Sequence, residues 1–334
     1  MRAWQVSKLG DPGEALRLVE LPKPSPAAGE VLIRVRAAAV NFLDILLCQG
    51  KYQEKPPLPF TPGAEISGTV EAVGDGVALR VGERVLATPP LPRGGFAEWV
   101  VVPESHVYPI PDSLGWNEAA AMFITYQTAY YALHRCAKIR PGEVLLVHAG
   151  AGGVGSAAIQ LGLAAGARVI ATAGGPEKVQ LCKQMGAEAA IDYRAEDFVQ
   201  AVKELTDGRG ADVIFDPVGG DVFDRSRKCI AFEGRILVIG FAGGRIADAP
   251  TNHALVKNYS IVGVHWGLFR RRMPDRVAEA HQRLMTMYEQ GAIRPLLHGN
   301  FPLEELPEAL HLLADRKTRG KEIGGESLTG HFAT

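Results

Sequence analysis

Three glycines carry the clearest chemistry in this sequence. In VLLVHAGAGGVGSAAIQLGLAAG, Gly150, Gly152 and Gly155 stand in the order G-x-G-x-x-G, after an apolar run and ahead of an alanine-rich one. Read as strand, turn and helix, this spacing lets Gly150 make a tight turn. It lets the backbone around Gly152, Gly153 and Val154 approach a pyrophosphate, and lets Gly155 pack helix against strand. Amides at the start of the helix then face the negative charge of a dinucleotide. The next apolar run, ARVIATA, ends at Ala173, about 20 residues on, where an NAD enzyme offers Asp or Glu to the ribose hydroxyls. Here the residues are Ala173, Gly174 and Gly175. That leaves room for a 2′-phosphate, with Lys178 close by to supply charge, and points to NADPH. The plainer reading of Lys178 is a lysine on a solvated helix face.

The elements that must hold this loop follow from the texture of the chain. The first third is β-like, with alternation at the start of VLIRVRAAAV and frequent Gly and Pro punctuation, which fits a small barrel-like domain. EAAAMFITYQTAYYALHRC, from Glu118, reads as a helix. Apolar runs at 144–149, 168–173, 189–193, 211–218, 235–240 and 260–266 then alternate with helical stretches such as EKVQLCKQMGA and DVFDRSRKCIAF. That alternation implies βαβ units and a doubly wound parallel sheet. The tail after Trp266 is expected to return to the first domain, giving 1–122, 123–266 and 267–334.

Composition narrows the class. The chain has 334 residues, 47% hydrophobic and 22% charged, with net charge −1. Two soluble domains suit this balance, and nucleic-acid binding, which needs a basic surface, does not. The start, MRAWQVSKLG, has no apolar core of a secretory signal. The Gly/Ala-rich stretch from Ala149 is better explained as turn plus packed helix than as a membrane span. Cys48, Cys136, Cys182 and Cys229 lie far apart with no CxxC, so reduced thiols in a cytoplasmic protein are expected.

Further segments carry a resemblance. VNFLDILLCQGKY, PGAEISGTVEAVG, VGERV, GGFAEWVVVP, the AGAGGVG loop and GADVIFDPVGG together resemble the zinc-free quinone oxidoreductases, the branch of the medium-chain dehydrogenase/reductase superfamily that includes ζ-crystallin. The resemblance covers nearly the whole chain. It implies a GroES-like β-barrel catalytic domain beside a Rossmann domain, and a homodimer joined through edge strands at 260–266. Zinc-dependent relatives carry Cys and His where this chain has Asn41 and Ala64, so no metal site is expected.

The resemblance also assigns roles. Tyr52 matches a hydrogen-bond donor or proton source in the cleft, and Asn41 an orienting amide. The plainer readings are a loop aromatic packed on the barrel and a turn residue. Lys178, Tyr193 and Arg316 match residues that hold the 2′-phosphate. Phe241, Ala242 and Trp266 are expected along the nicotinamide, with Thr128 as a further contact; core packing is the plainer reading of Phe241 and Trp266. Asp44, Glu65 and His148 read as structural. The implied reaction is NADPH-dependent reduction of a small-molecule quinone or α,β-unsaturated carbonyl. The alternatives are a 2-enoyl thioester reductase and a cofactor-binding crystallin-like or regulatory protein. The Gly-rich end after Lys321 is expected to form only a short last strand.

Overall fold

The structure is a computed structural model, and it describes residues Met1–Gly325. Within them the chain divides into two compact units, Met1–Ile124 with Pro295–Gly325, and Thr125–Arg294.

The first unit is built on strand Glu30–Ala39, whose inward side chains include Val31, Ile33 and Val35. It pairs antiparallel with Ile66–Val73, with Trp99–Pro103 and, at its far end, with Lys321–Gly325. Arg84–Ala87 and Val107–Pro109 extend one side of the sheet and Leu297–Pro302 the other. Trp4, Phe60, Ile66, Val85, Phe96 and Leu310 fill the core. Two registers matter for the site. Ala39 lies opposite Ile323, and Val40 N–H donates to the Glu322 carbonyl at 2.9 Å, which carries Asn41 alongside Lys321. Ala39 N–H also donates to the Glu65 carbonyl at 3.1 Å.

The second unit is a six-stranded parallel sheet in the order Ala189–Asp192, Arg168–Ala173, Val144–Val147, Ala211–Asp216, Ile230–Val238, Ser260–Gly263. Its central strands carry buried apolar runs, VLLV in Val144–Val147 and VIF within Ala211–Asp216, as strands covered by helices on both faces must. The strand order reverses between Val144–Val147 and Ala211–Asp216. A crevice forms at such a reversal, outside the carboxyl ends of the strands.

Several boundaries differ from those expected. The return to the first unit falls at Pro295, not at 267. Helix Pro274–Glu289 buries Val277 and Leu284, and Gln127 Nε2 donates to the Val277 carbonyl at 3.0 Å, which ties it to the second unit. The segment from Asp221 is helical only to Ser226, and Ile230 opens the next strand. The last strand of this sheet stops at Gly263. Its neighbour ends at Val238, so the ladder has no further partner, and Trp266 begins helix Trp266–Arg272. The helix from Trp116 continues past Tyr130 as a wider π-turn through Ala137. Lys321–Gly325 does form a strand, and the rest of the Gly-rich end lies outside the described residues.

Candidate active site

In the first unit, Asn41 precedes helix Phe42–Cys48 and is 8% exposed. Its backbone N–H is held by Asp44 Oδ2 at 2.9 Å, and Asp44 Oδ1 accepts from Gly63 N–H at 3.1 Å. Burial of Asp44 pushes its carboxyl up to about 7, against these two hydrogen bonds. The Asn41 side chain is wholly engaged. Nδ2 donates to the Ala39 carbonyl (3.2 Å) and to Glu65 Oε1 (3.0 Å), while Oδ1 accepts from Lys321 Nζ at 2.6 Å. Lys321 Nζ also donates to Glu65 Oε1 at 2.6 Å, and Glu65 Oε2 accepts Ile124 N–H at 2.8 Å.

Asp44 and Glu65 thus bind backbone and a base, as expected of structural carboxylates, and the base is Lys321. Both amide hydrogens of Asn41 are already donated inside the protein. Tyr52 packs its ring partly buried on the core, just after helix Phe42–Cys48, with its N–H on the Leu46 carbonyl at 3.3 Å.

In the second unit, Ala149 takes a left-handed turn (φ 53), Gly150 N–H donates to the Thr172 carbonyl (2.9 Å), and Gly152 precedes helix Gly153–Ala164. Gly152 at the N-cap has no side chain to offer, so it leaves the first-turn amides of Gly153, Val154 and Gly155 without a side-chain cap. A Cβ on Gly155 would stand 2.2 Å from the Ala149 carbonyl oxygen, which is why only glycine lets helix and loop meet here. The adenosine end is equally specific. A Cβ on Gly174 would fall 2.6 Å from the Tyr193 hydroxyl and 3.0 Å from Arg194 Nε. A phenol and a guanidinium therefore stand over the strand end where an acid would repel a 2′-phosphate. Asp192 Oδ1 fixes the arrangement by accepting N–H bonds from Gly175 and Arg194, each at 3.0 Å.

These loops form a cradle that suits a phosphorylated dinucleotide. Tyr193 and Arg194 stand at Gly174, and Lys178 lies in the first turn of the following helix Pro176–Gln184; Arg194 was not among the residues read from sequence. The signal was available, since Arg194 directly follows Tyr193 at the end of its strand. Phe241 is 41% exposed, too open for core packing, and lies against Gly219, with Ala242 N–H on the Pro217 carbonyl at 3.1 Å. Trp266 is half-buried, with the Arg270 guanidinium 5.3 Å from its ring. Thr128 is buried in helix Trp116–Tyr130. Arg316 belongs to the first unit, in a left-handed turn (φ 58) after helix Leu306–Ala314.

Known proteins show the same organisation. The alcohol dehydrogenase GroES-like domain matches residues 27–112, and the zinc-binding dehydrogenase domain residues 153–284. A barrel of that type and a doubly wound sheet opened by a glycine loop define a medium-chain dehydrogenase/reductase. Quinone oxidoreductase-like protein 2 homolog of Nematostella vectensis is 43% identical over 88% of this chain and 81% of its own. Human quinone oxidoreductase is 34% identical over 92% of each. The crystal structure of Escherichia coli quinone oxidoreductase complexed with NADPH superimposes with a TM-score of 0.91 at 30% identity, covering 97% and 99% of the two chains. The chain belongs to the zinc-free quinone oxidoreductase branch of this superfamily.

Proposed function

We propose that this protein uses NADPH to reduce quinones or α,β-unsaturated carbonyls, without a metal. The observation that carries the reading is the end of strand Arg168–Ala173. Residues 173–175 carry no carboxylate of their own, the Asp192 carboxylate beside them is taken up by the Gly175 and Arg194 N–H groups, and Tyr193 and Arg194 close over Gly174. The NADPH complex of the Escherichia coli relative supports it. The glycine loop and the uncapped helix Gly153–Ala164 would hold the pyrophosphate, and Gly174, Lys178, Tyr193 and Arg194 the 2′-phosphate.

Held there, NADPH would supply the hydride. Addition to a quinone or enone places charge on an oxygen already stabilised as a phenolate or enolate, so one or two positioned donors suffice to hold it. Tyr52 is assigned as the donor on its match to the cleft residue of the relatives; the Asn41 amide is committed to Glu65 and the Ala39 carbonyl and serves to orient. Asn41, held by Lys321, fixes the start of the helix that leads to Tyr52.

A second copy of the chain completes the assembly. Phe232, Leu255 and Val256 are 72%, 80% and 82% exposed, beside or on elements that flank the outer strand Ser260–Gly263. Exposed apolar side chains on strand Ile230–Val238 and helix Thr251–Lys257 call for a cover, and a homodimer supplies one. Among the described residues no helix is long and apolar enough to cross a membrane.

The test is oxidation of NADPH and NADH with 1,4-benzoquinone, an enone and crotonyl-CoA. Turnover of quinone or enone with NADPH well above NADH is expected. Turnover with crotonyl-CoA alone assigns a thioester reductase instead, and cofactor binding without turnover assigns a non-catalytic protein.

A further inference from the structure

His148 directly follows strand Val144–Val147 at the head of the glycine loop, is 1% exposed, and has both ring nitrogens engaged. Nδ1 lies 2.9 Å from Thr172 Oγ1 and Nε2 lies 2.8 Å from Ser226 Oγ. The Ser226 hydroxyl already donates its hydrogen to the Val222 carbonyl at 2.7 Å, so toward the ring it can only accept. Nε2 therefore carries the proton, and Nδ1 accepts from the Thr172 hydroxyl. Burial agrees with a neutral ring, holding its pKa down to about 4, with Asp216 and Arg225 the charged groups that act on it.

The partners stand on opposite sides of the strand-order reversal. Thr172 is on strand Arg168–Ala173, and Ser226 ends helix Gly220–Ser226, which follows strand Ala211–Asp216. The backbone repeats the link, with His148 N–H on the Phe215 carbonyl (3.1 Å) and Gly150 N–H on the Thr172 carbonyl (2.9 Å). The ring therefore ties both walls of the crevice to the residue before the loop.

We propose that His148 is a positioning residue for the dinucleotide, a one-donor, one-acceptor spacer that fixes the width of the crevice at the glycine loop. Sealed beneath the loop, it takes no part in hydride or proton transfer. The inference rests on the reading that this loop holds NADPH.

The experiment compares the wild type with His148→Phe, which keeps a ring but loses both bonds, His148→Gln, which keeps one donor and one acceptor, and Ser226→Ala. Dissociation constants for NADPH are measured by fluorescence titration, with kcat and thermal midpoints alongside. His148→Phe and Ser226→Ala should weaken NADPH binding about tenfold, a larger effect than on kcat, because a buried bond that sets the loop is lost. His148→Gln should restore most of it, and ¹⁵N spectra of the wild type should show the Nε2–H tautomer. Wild-type affinity in Ser226→Ala or folded His148→Phe, or an Nδ1–H tautomer, overturns the inference alone. A wild type that does not bind NADPH overturns it together with the reading beneath it.

Discussion

Lys321 Nζ lies 2.6 Å from Glu65 Oε1 inside the first unit, with side chains 7% and 1% exposed. The pair brings the last described strand onto the segment after Pro62, and the same ammonium holds the Asn41 amide. The two charges offset each other's desolvation, so removing one is far more costly than removing both.

Lys321→Met should therefore lower stability by about 3–5 kcal/mol in urea unfolding. Lys321→Met combined with Glu65→Leu should recover much of that loss. A single variant as stable as the wild type would show that Glu65 finds another partner and that Lys321 does not hold Asn41.

Tyr52 is assigned as the donor to the acceptor oxygen. Tyr52→Phe keeps the packing on the core and removes only the hydroxyl, so kcat should fall about 10²-fold or more, as for other lost donors at a developing oxyanion. NADPH affinity should change little, since the cofactor cradle is made by other residues. Stopped-flow oxidation of NADPH by 1,4-benzoquinone measures both. A kcat equal to the wild type would place the donor elsewhere.

The exposed residues Leu255 and Val256 test the assembly. A charge at each should oppose burial against a second copy while leaving the monomer core untouched. Sedimentation at micromolar concentration should give a dimer for the wild type and a monomer for Leu255→Asp/Val256→Asp. A wild type that sediments as a monomer ends the dimer reading.

What the sequence revealed depended on the range of the interactions. The glycine loop is local: strand, turn and helix are contiguous, so Gly150, Gly152 and Gly155 could be read from spacing, and the alternation of apolar runs gave the parallel sheet. The proposed 2′-phosphate cradle was half legible. Missing acid and Lys178 lie in one turn, but Arg194 reaches Gly174 only because two neighbouring strands end together. Lys321 was illegible as the partner of Asn41 and Glu65, since the antiparallel register of Ile323 with Ala39 sets that contact. The strand boundary at Gly263 was hidden for a related reason: the apolar run continues to Trp266, while the neighbouring strand does not.

Glu322 gives the last prediction. It is 1% exposed, and among the described residues neither carboxyl oxygen accepts a hydrogen bond; His298 Nε2 lies 3.5 Å from Oε1. Burial pushes its carboxyl up to about 7. Between the ordinary Glu value near 4.5 and about 7, the folded protein keeps a proton that the unfolded chain has released. Its contribution is therefore fully present below the unfolded value and is lost as pH rises through about 7. The loss is on the order of 3 kcal/mol, set by how far burial raises the carboxyl above its ordinary value. Glu322→Gln is neutral at every pH and removes this dependence. Urea unfolding at pH 5.5, 7.0 and 8.5 should show the variant gaining on the wild type as pH rises, with the gap widest at 8.5. Because Asp44, also pushed up by burial, titrates in both proteins, its contribution cancels in the comparison. Parallel curves would mean that Glu322 ionises in the fold as easily as in the unfolded chain.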